Sequence, residues 1–179
     1  LEHLLREIHR HFGVYREEVF SLRFEGEQGE KIKNKVMSYF RSVPLKELNL
    51  SHSLIPQKIL YRVDYKQKDN GNYVEDENGN PHSTPPLHPF IEIPPLRYSW
   101  IPGREKHTLD STDYIVFYLD DGNTIHLRPS GTEPIVKIYL NFQDHSASPV
   151  ETLNASIADQ IQETFHRIND RIQKLAESV

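Results

Sequence analysis

Residues 149–176 carry apolar side chains at helical spacing along their whole length. Val150, Leu153, Ile157, Ile161, Phe165, Ile168, Ile172 and Leu175 fall on one stripe. A helix this long and this one-sided needs an extended apolar surface to cover. The chain supplies one immediately upstream. "DYIVFYLDDGNTIHLR" reads as strands 113–119 and 124–128 joined at Asp121-Gly122, a strong hairpin signal, and 135–142 reads as a third strand. The stripe is therefore expected to pack across a sheet rather than to form a free coiled coil. Ser148 is the expected N-cap, with Pro149 at the first helical position and Glu151 completing a capping box.

The N-terminal half follows the same logic. In "VFSLRFEG" (19–26), Phe20, Leu22 and Phe24 alternate with polar residues, as in a half-buried strand. Residues 30–43 switch to helical spacing through Ile32, Val36, Phe40 and Val43, with Pro44 as the stop. "KILYRVDYK" (58–66) returns to period two through Ile59, Tyr61, Val63 and Tyr65. The element order is β-α-β-(insertion)-β-β-β-α, and the expected fold class is α+β, an antiparallel sheet covered by helices on one face. The insertion is 67–106. It holds Asn70-Gly71 and Asn78-Gly79, turn signals that suggest a small hairpin flap, and seven of the twelve prolines lie in 81–102. Phe90, Ile91, Ile93, Leu96 and Trp100 are its candidate docking residues. The chain opens "LEHLLREIHRHFG", in which Leu1, Leu4, Leu5, Ile8 and Phe12 share a helix face and Gly13 is a natural stop. That face is expected to need a partner, as at an internal cut in a longer protein.

Several chemistries are excluded. The chain has no cysteine, which removes disulfides, thiolate metal sites and a cysteine nucleophile. The formal net charge of −5 gives no basic field for nucleic acid, and no apolar run approaches a membrane span. A cytoplasmic location is the expectation. The ten histidines show no H-E-x-x-H or other paired-ligand spacing, and His9 and His11 lie on different helix faces. The Asn-Gly turns fail the calcium-loop pattern, because Lys66 and Val74 stand where its first aspartate belongs. Ser51-His52-Ser53 places serine beside histidine in sequence, which seldom makes a catalytic pair.

What remains is "RPSGTEP" (128–134), between two strands where an ordinary hairpin needs only a tight turn. Arg128 supplies a planar fork for phosphate oxygens, and Ser130 and Thr132 supply hydroxyl donors. Gly131 admits a positive φ that lets successive N–H groups converge on an anion. Pro129 and Pro134 stiffen the loop. Glu133 is expected to face outward and hold the loop by hydrogen bonds. From the residues alone, two readings stay open: an anion clamp, or a rigid hairpin with a surface arginine.

"RPSGTEP" followed by "VKIYLNF" resembles the phosphate-binding loop in the C-terminal domain of the α-D-phosphohexomutases. "FGVYREEVFSLRFEGEQGEKIKNKVMSYFRSVP" is similar to the end of domain 3 and the start of domain 4 in bacterial phosphoglucomutases and phosphomannomutases. The resemblance implies a TATA-binding-protein-like fold, with residues 1–18 as the terminal helix of a preceding domain plus linker and 19–179 as the phosphate-binding domain. By motif position, Arg128, Ser130, Gly131 and Thr132 would contact a phosphosugar, a glucose or mannose phosphate. The whole enzyme would be an intramolecular phosphotransferase working through a phosphoserine and a bisphosphate intermediate. The family's T-A-S-H-N-P-like serine loop, D-G-D-G-D-R-like magnesium loop and G-E-x-x-S-like sugar loop have no counterpart here. Ser51-His52-Ser53 lacks the following Asn-Pro, Asp120-Asp121-Gly122 lacks the alternating aspartates, and "GEQGE" (26–30) lacks the serine. Magnesium would belong to upstream domains, and this chain by itself is expected to bind and not react. The alternatives are a non-catalytic phosphosugar-binding module and an interaction domain acting through the last helix.

Overall fold

The computed structural model describes residues 2–50, 57–66, 73–76, 78–82, 113–146 and 149–178. The elements are α1 (Glu2–Phe12), β1 (Val14–Arg23), α2 (Gly29–Ser42), α3 (Leu45–Leu50), β2 (Ile59–Asp64), β3 (Tyr73–Asp76), β4 (Pro81–His82), β5 (Ile115–Leu119), β6 (Thr124–Pro129), β7 (Ile135–Asp144) and α4 (Val150–Ala176). One sheet in the order β1-β7-β6-β5-β2-β3-β4 holds every described strand, and each pairing is antiparallel. The α+β class expected from the sequence is the one observed.

The α4 stripe lies on the sheet. Ile157, Ile161, Ile168 and Ile172 are at most 1% exposed and cluster with Ile125, Leu127, Ile138, Leu140 and Phe142. Phe165 stacks on Phe20 with ring centroids 3.8 Å apart. From α2, Val36, Met37 and Phe40 join the same cluster. The interaction reading of α4 needed this stripe at the surface, and it is in the core.

Four local expectations change. β1 begins at Val14, so residues 14–18, expected as linker, form the first half of a strand. Pro44 ends α2 but also opens α3, whose Glu47 N–H donates to the Pro44 carbonyl at 2.9 Å. A proline cannot continue a helix, yet it loses nothing at the start of the next. α4 has Pro149 at its N-cap with no side-chain cap bond, and Ser148 lies outside the described residues. In the insertion, β3 and β4 form a hairpin at Asn78-Gly79 (Gly79 φ 83°) that extends the sheet edge as two more strands. The candidate docking residues of 90–100 lie outside the described residues.

β2 carries the most instructive change. A bulge between Ile59 and Tyr61 shifts the strand's phase. Ile59 faces the helices, but Val63 and its neighbours Tyr61 and Tyr65 pack on the opposite face with Val116, Tyr114 and Tyr118. The helix side receives Arg62 and Asp64, 3% and 1% exposed. Arg62 donates to the Phe40 carbonyl (3.1 Å) and the Val43 carbonyl (2.6 Å), satisfying the acceptors at the C-terminal end of α2. Asp64 accepts from Arg41 Nε at 2.7 Å, and the same guanidinium reaches Asp113 at 2.6 Å. Burial weighs against the Asp113 carboxylate, but the hydrogen bonds from Lys66 and Arg41 outweigh it and hold its pKa below the usual range. Among the described residues, no helix is long and apolar enough to cross a membrane.

Arg62→Met keeps the volume but leaves two buried carbonyls without their donor. It should lower stability by about 2–4 kcal/mol. Chemical denaturation followed by circular dichroism checks this, and an unchanged midpoint would contradict the capping role.

Candidate functional site

The loop 130–134 hangs from the centre of the sheet, because β6 and β7 both have neighbours on their other sides. Its frame is tight. Ser130 N–H donates to the Ile135 carbonyl and Ile135 N–H to the Glu133 carbonyl, each at 2.8 Å, and Phe24 N–H donates to the Pro134 carbonyl at 2.9 Å. Gly29, the first residue of α2, sits so close behind the loop that a Cβ there would lie 2.5 Å from the Phe24 carbonyl oxygen and 3.0 Å from Pro134 Cβ. Glu133 faces outward and pairs with Arg23 at 3.0 Å, the bracing role expected for it.

The nest geometry expected of Gly131 is absent. Among the described residues, the glycines with left-handed φ are Gly13, Gly26, Gly79 and Gly122, so Gly131 does not use that freedom. What distinguishes Gly131 is open space, with no atom within 4 Å of the position a Cβ would take. The absence of a side chain there leaves the peptide accessible from outside.

The outward side of the loop is rich in free donors. Among the described residues, the N–H groups of Gly131, Thr132 and Glu133 have no backbone acceptor. No hydrogen bond among the described residues engages the hydroxyls of Ser130 and Thr132 or the guanidinium of Arg128. Directly opposite Arg128 across the β6–β7 ladder stands Lys137, which puts both exposed side chains on one face. Like charges placed directly opposite destabilise a sheet unless something negative joins them. The sequence reading missed Lys137. Strand alternation puts it on the polar face, but only the pairing register brings it against Arg128.

Behind the loop is Lys33, also missed and only 6% exposed. Its Nζ donates to the Ser130 carbonyl (3.0 Å), the Glu133 carbonyl (3.2 Å) and the Glu30 carboxylate (2.9 Å). The available signal was a lysine on the apolar stripe of α2, between Ile32 and Val36.

The face that carries Arg128 also holds a half-buried polar cluster. His126 Nδ1 meets the Tyr114 hydroxyl, and its Nε2 meets Thr124 Oγ1 at 2.8 Å and Asn141 Nδ2 at 3.1 Å. Burial lowers the His126 pKa to about 4, so the ring is neutral at pH 7. Burial likewise raises the Tyr114 hydroxyl to about 12, with the Arg128 charge opposing the shift. His126 is thus a fixed, uncharged strut beside the two cations, not a proton carrier.

These parts define an α+β domain that presents a rigid, donor-rich hairpin loop. No protein-family model matches the chain. It is similar to curated phosphoglucomutases. That of Staphylococcus haemolyticus is 29% identical over 141 residues, covering 79% of this chain and 20% of the relative. That of Staphylococcus epidermidis is 27% identical and that of Staphylococcus aureus 25%, each over 155 residues, 86% of this chain and 22% of the relative. The chain spans about a fifth of the length of the curated relatives it matches.

The depressed His126 pKa makes a prediction about pH. The unfolded chain takes up this proton near pH 6.5 and the folded chain only near 4, so the contribution is complete above 6.5 and falls as pH drops toward 4. The loss is about 3 kcal/mol across that window. His126→Gln should flatten this part of the stability–pH curve, measured by urea unfolding. Parallel curves for the two proteins would sink the assignment.

Proposed function

We propose that this chain is the substrate-phosphate-binding C-terminal part of a phosphohexomutase, with phosphoglucomutase activity the leading assignment for the whole protein. The observation that carries the reading is the arrangement of the loop. Arg128 and Lys137 share one exposed face, and two hydroxyls and three N–H groups have no hydrogen-bond partner among the described residues. The Ser130 and Glu133 carbonyls are taken up by Lys33. The phosphoglucomutase names of the relatives support a phosphosugar as the ligand.

In this reading Arg128, Ser130, Gly131 and Thr132 grip the phosphate that is not reacting, and Lys137 adds a second positive charge. Each charge-assisted hydrogen bond contributes about 1.5–3 kcal/mol, and the rigid frame lowers the ordering cost. That energy orients the sugar and favours closure, while bond-making belongs to upstream domains. The described residues contain no group of three or more His, Cys, Asp or Glu side chains able to hold a metal ion, so they do not fit the magnesium of the mutase reaction. No step assigned to this chain runs through it.

Calorimetric titration with glucose 6-phosphate and glucose 1-phosphate tests the clamp. Arg128→Ala should weaken binding about ten- to hundredfold with an unchanged circular dichroism spectrum, and equal affinities would refute the assignment. The unmutated chain alone should show no interconversion of the two sugar phosphates in a coupled assay. Measurable turnover would overturn its role as a binding part.

A further inference from the structure

We propose that Lys33 is the positioning residue of this loop, the group that turns the Ser130–Gly131 peptide so that the Gly131 N–H faces the anion. The inference rests on the phosphate-clamp reading and adds a residue from a different element to it. An ammonium has three protons, and Lys33 places all three: on the Ser130 carbonyl, the Glu133 carbonyl and the Glu30 carboxylate. None is left for solvent, consistent with its burial.

The consequence follows from peptide geometry. Every described peptide bond is trans, so a carbonyl and the next residue's N–H point in opposite directions. Drawing the Ser130 carbonyl inward onto Lys33 therefore turns the Gly131 N–H outward. The Glu133 carbonyl belongs to the peptide preceding Pro134, which has no N–H, so holding it inward withdraws no donor from the anion side. Glu133 O also accepts from Ile135 N–H, and with both bonds the loop is clamped at its two ends. A methionine would fill the same space in α2. It would leave the Ser130 carbonyl without a donor and the Glu133 carbonyl with the Ile135 N–H alone, freeing the Ser130–Gly131 peptide to rotate.

This explains why Gly131 needs no left-handed φ. A nest aims its N–H groups by backbone conformation, whereas here a buried cation aims the Gly131 N–H from behind. Gly29 completes the arrangement, because only a glycine lets the start of α2 approach Pro134 closely enough for Lys33 to reach both carbonyls. The positive charge of Lys33 remains behind the loop, partly balanced by Glu30.

The test is an NMR titration of the chain with inorganic phosphate and with glucose 6-phosphate, following the amides of Gly131, Thr132 and Glu133. Lys33→Met should stay folded by its core amide dispersion, yet bind phosphate about tenfold more weakly and show a reduced shift at Gly131. Lys33→Arg, which can donate to the same carbonyls, should recover most of the affinity. If Arg128→Ala loses binding but Lys33→Met keeps it, the positioning role is wrong and the clamp survives. If the unmutated chain binds no phosphate, both fall. Should Lys33→Met fail to fold, the unmutated chain still decides. Couplings through the hydrogen bonds from Lys33 Nζ to the Ser130 and Glu133 carbonyls must persist at phosphate saturation, and their disappearance overturns the proposal.

Discussion

The seam between α4 and strands β1 and β7 is the interaction on which the rest depends. Ile157, Ile161, Ile168 and Ile172 share one apolar cluster with Ile138, Leu140 and Phe142 of β7, all with almost no exposure. Each buried aliphatic side chain contributes about 1.5–3 kcal/mol, so this seam outweighs any single polar contact in the chain. It holds β6 and β7 as a rigid pair, and the loop at their end inherits that rigidity. A site on a hairpin in mid-sheet is more precisely placed than one on a free loop.

Polar groups in this protein divide sharply by side. On the helix side, buried or half-buried cations are held by acceptors: Arg62 by the end of α2, Arg41 by Asp64 and Asp113, and Lys33 by the loop. On the opposite face, Arg128 and Lys137 stand together and exposed. The first group is stabilised by geometry that removing one partner would expose as uncompensated charge. The second group carries mutual repulsion that an anion would relieve. The same residue types thus support the frame on one face and leave an opening for a ligand on the other.

Much of the architecture was legible from local pattern. The α4 stripe, the Asp121-Gly122 turn and the three C-terminal strands appear where periodicity and turn chemistry put them, and "RPSGTEP" stood out as a loop with more donors than a turn needs. The misreadings came from features with weak local signals. A bulge at β2 moved Tyr61, Val63 and Tyr65 to the far face and brought Arg62 and Asp64 into the core, because a phase shift in a strand has no composition of its own. Pro44 read as a stop alone, although a proline suits the start of a helix equally well.

Sequence by itself determined most of the helices and strands and which side chains in the loop can donate to an anion, since both follow from residue type and short-range spacing. Tertiary structure decided what those donors face. Lys33 meets the loop from 97 and 100 residues away, and Lys137 reaches Arg128 only through the β6–β7 register. Neither contact has a local signature. Each exists because the α4 seam and the sheet bring distant backbone segments to fixed positions, where one lysine is buried against carbonyls and the other is left in the open.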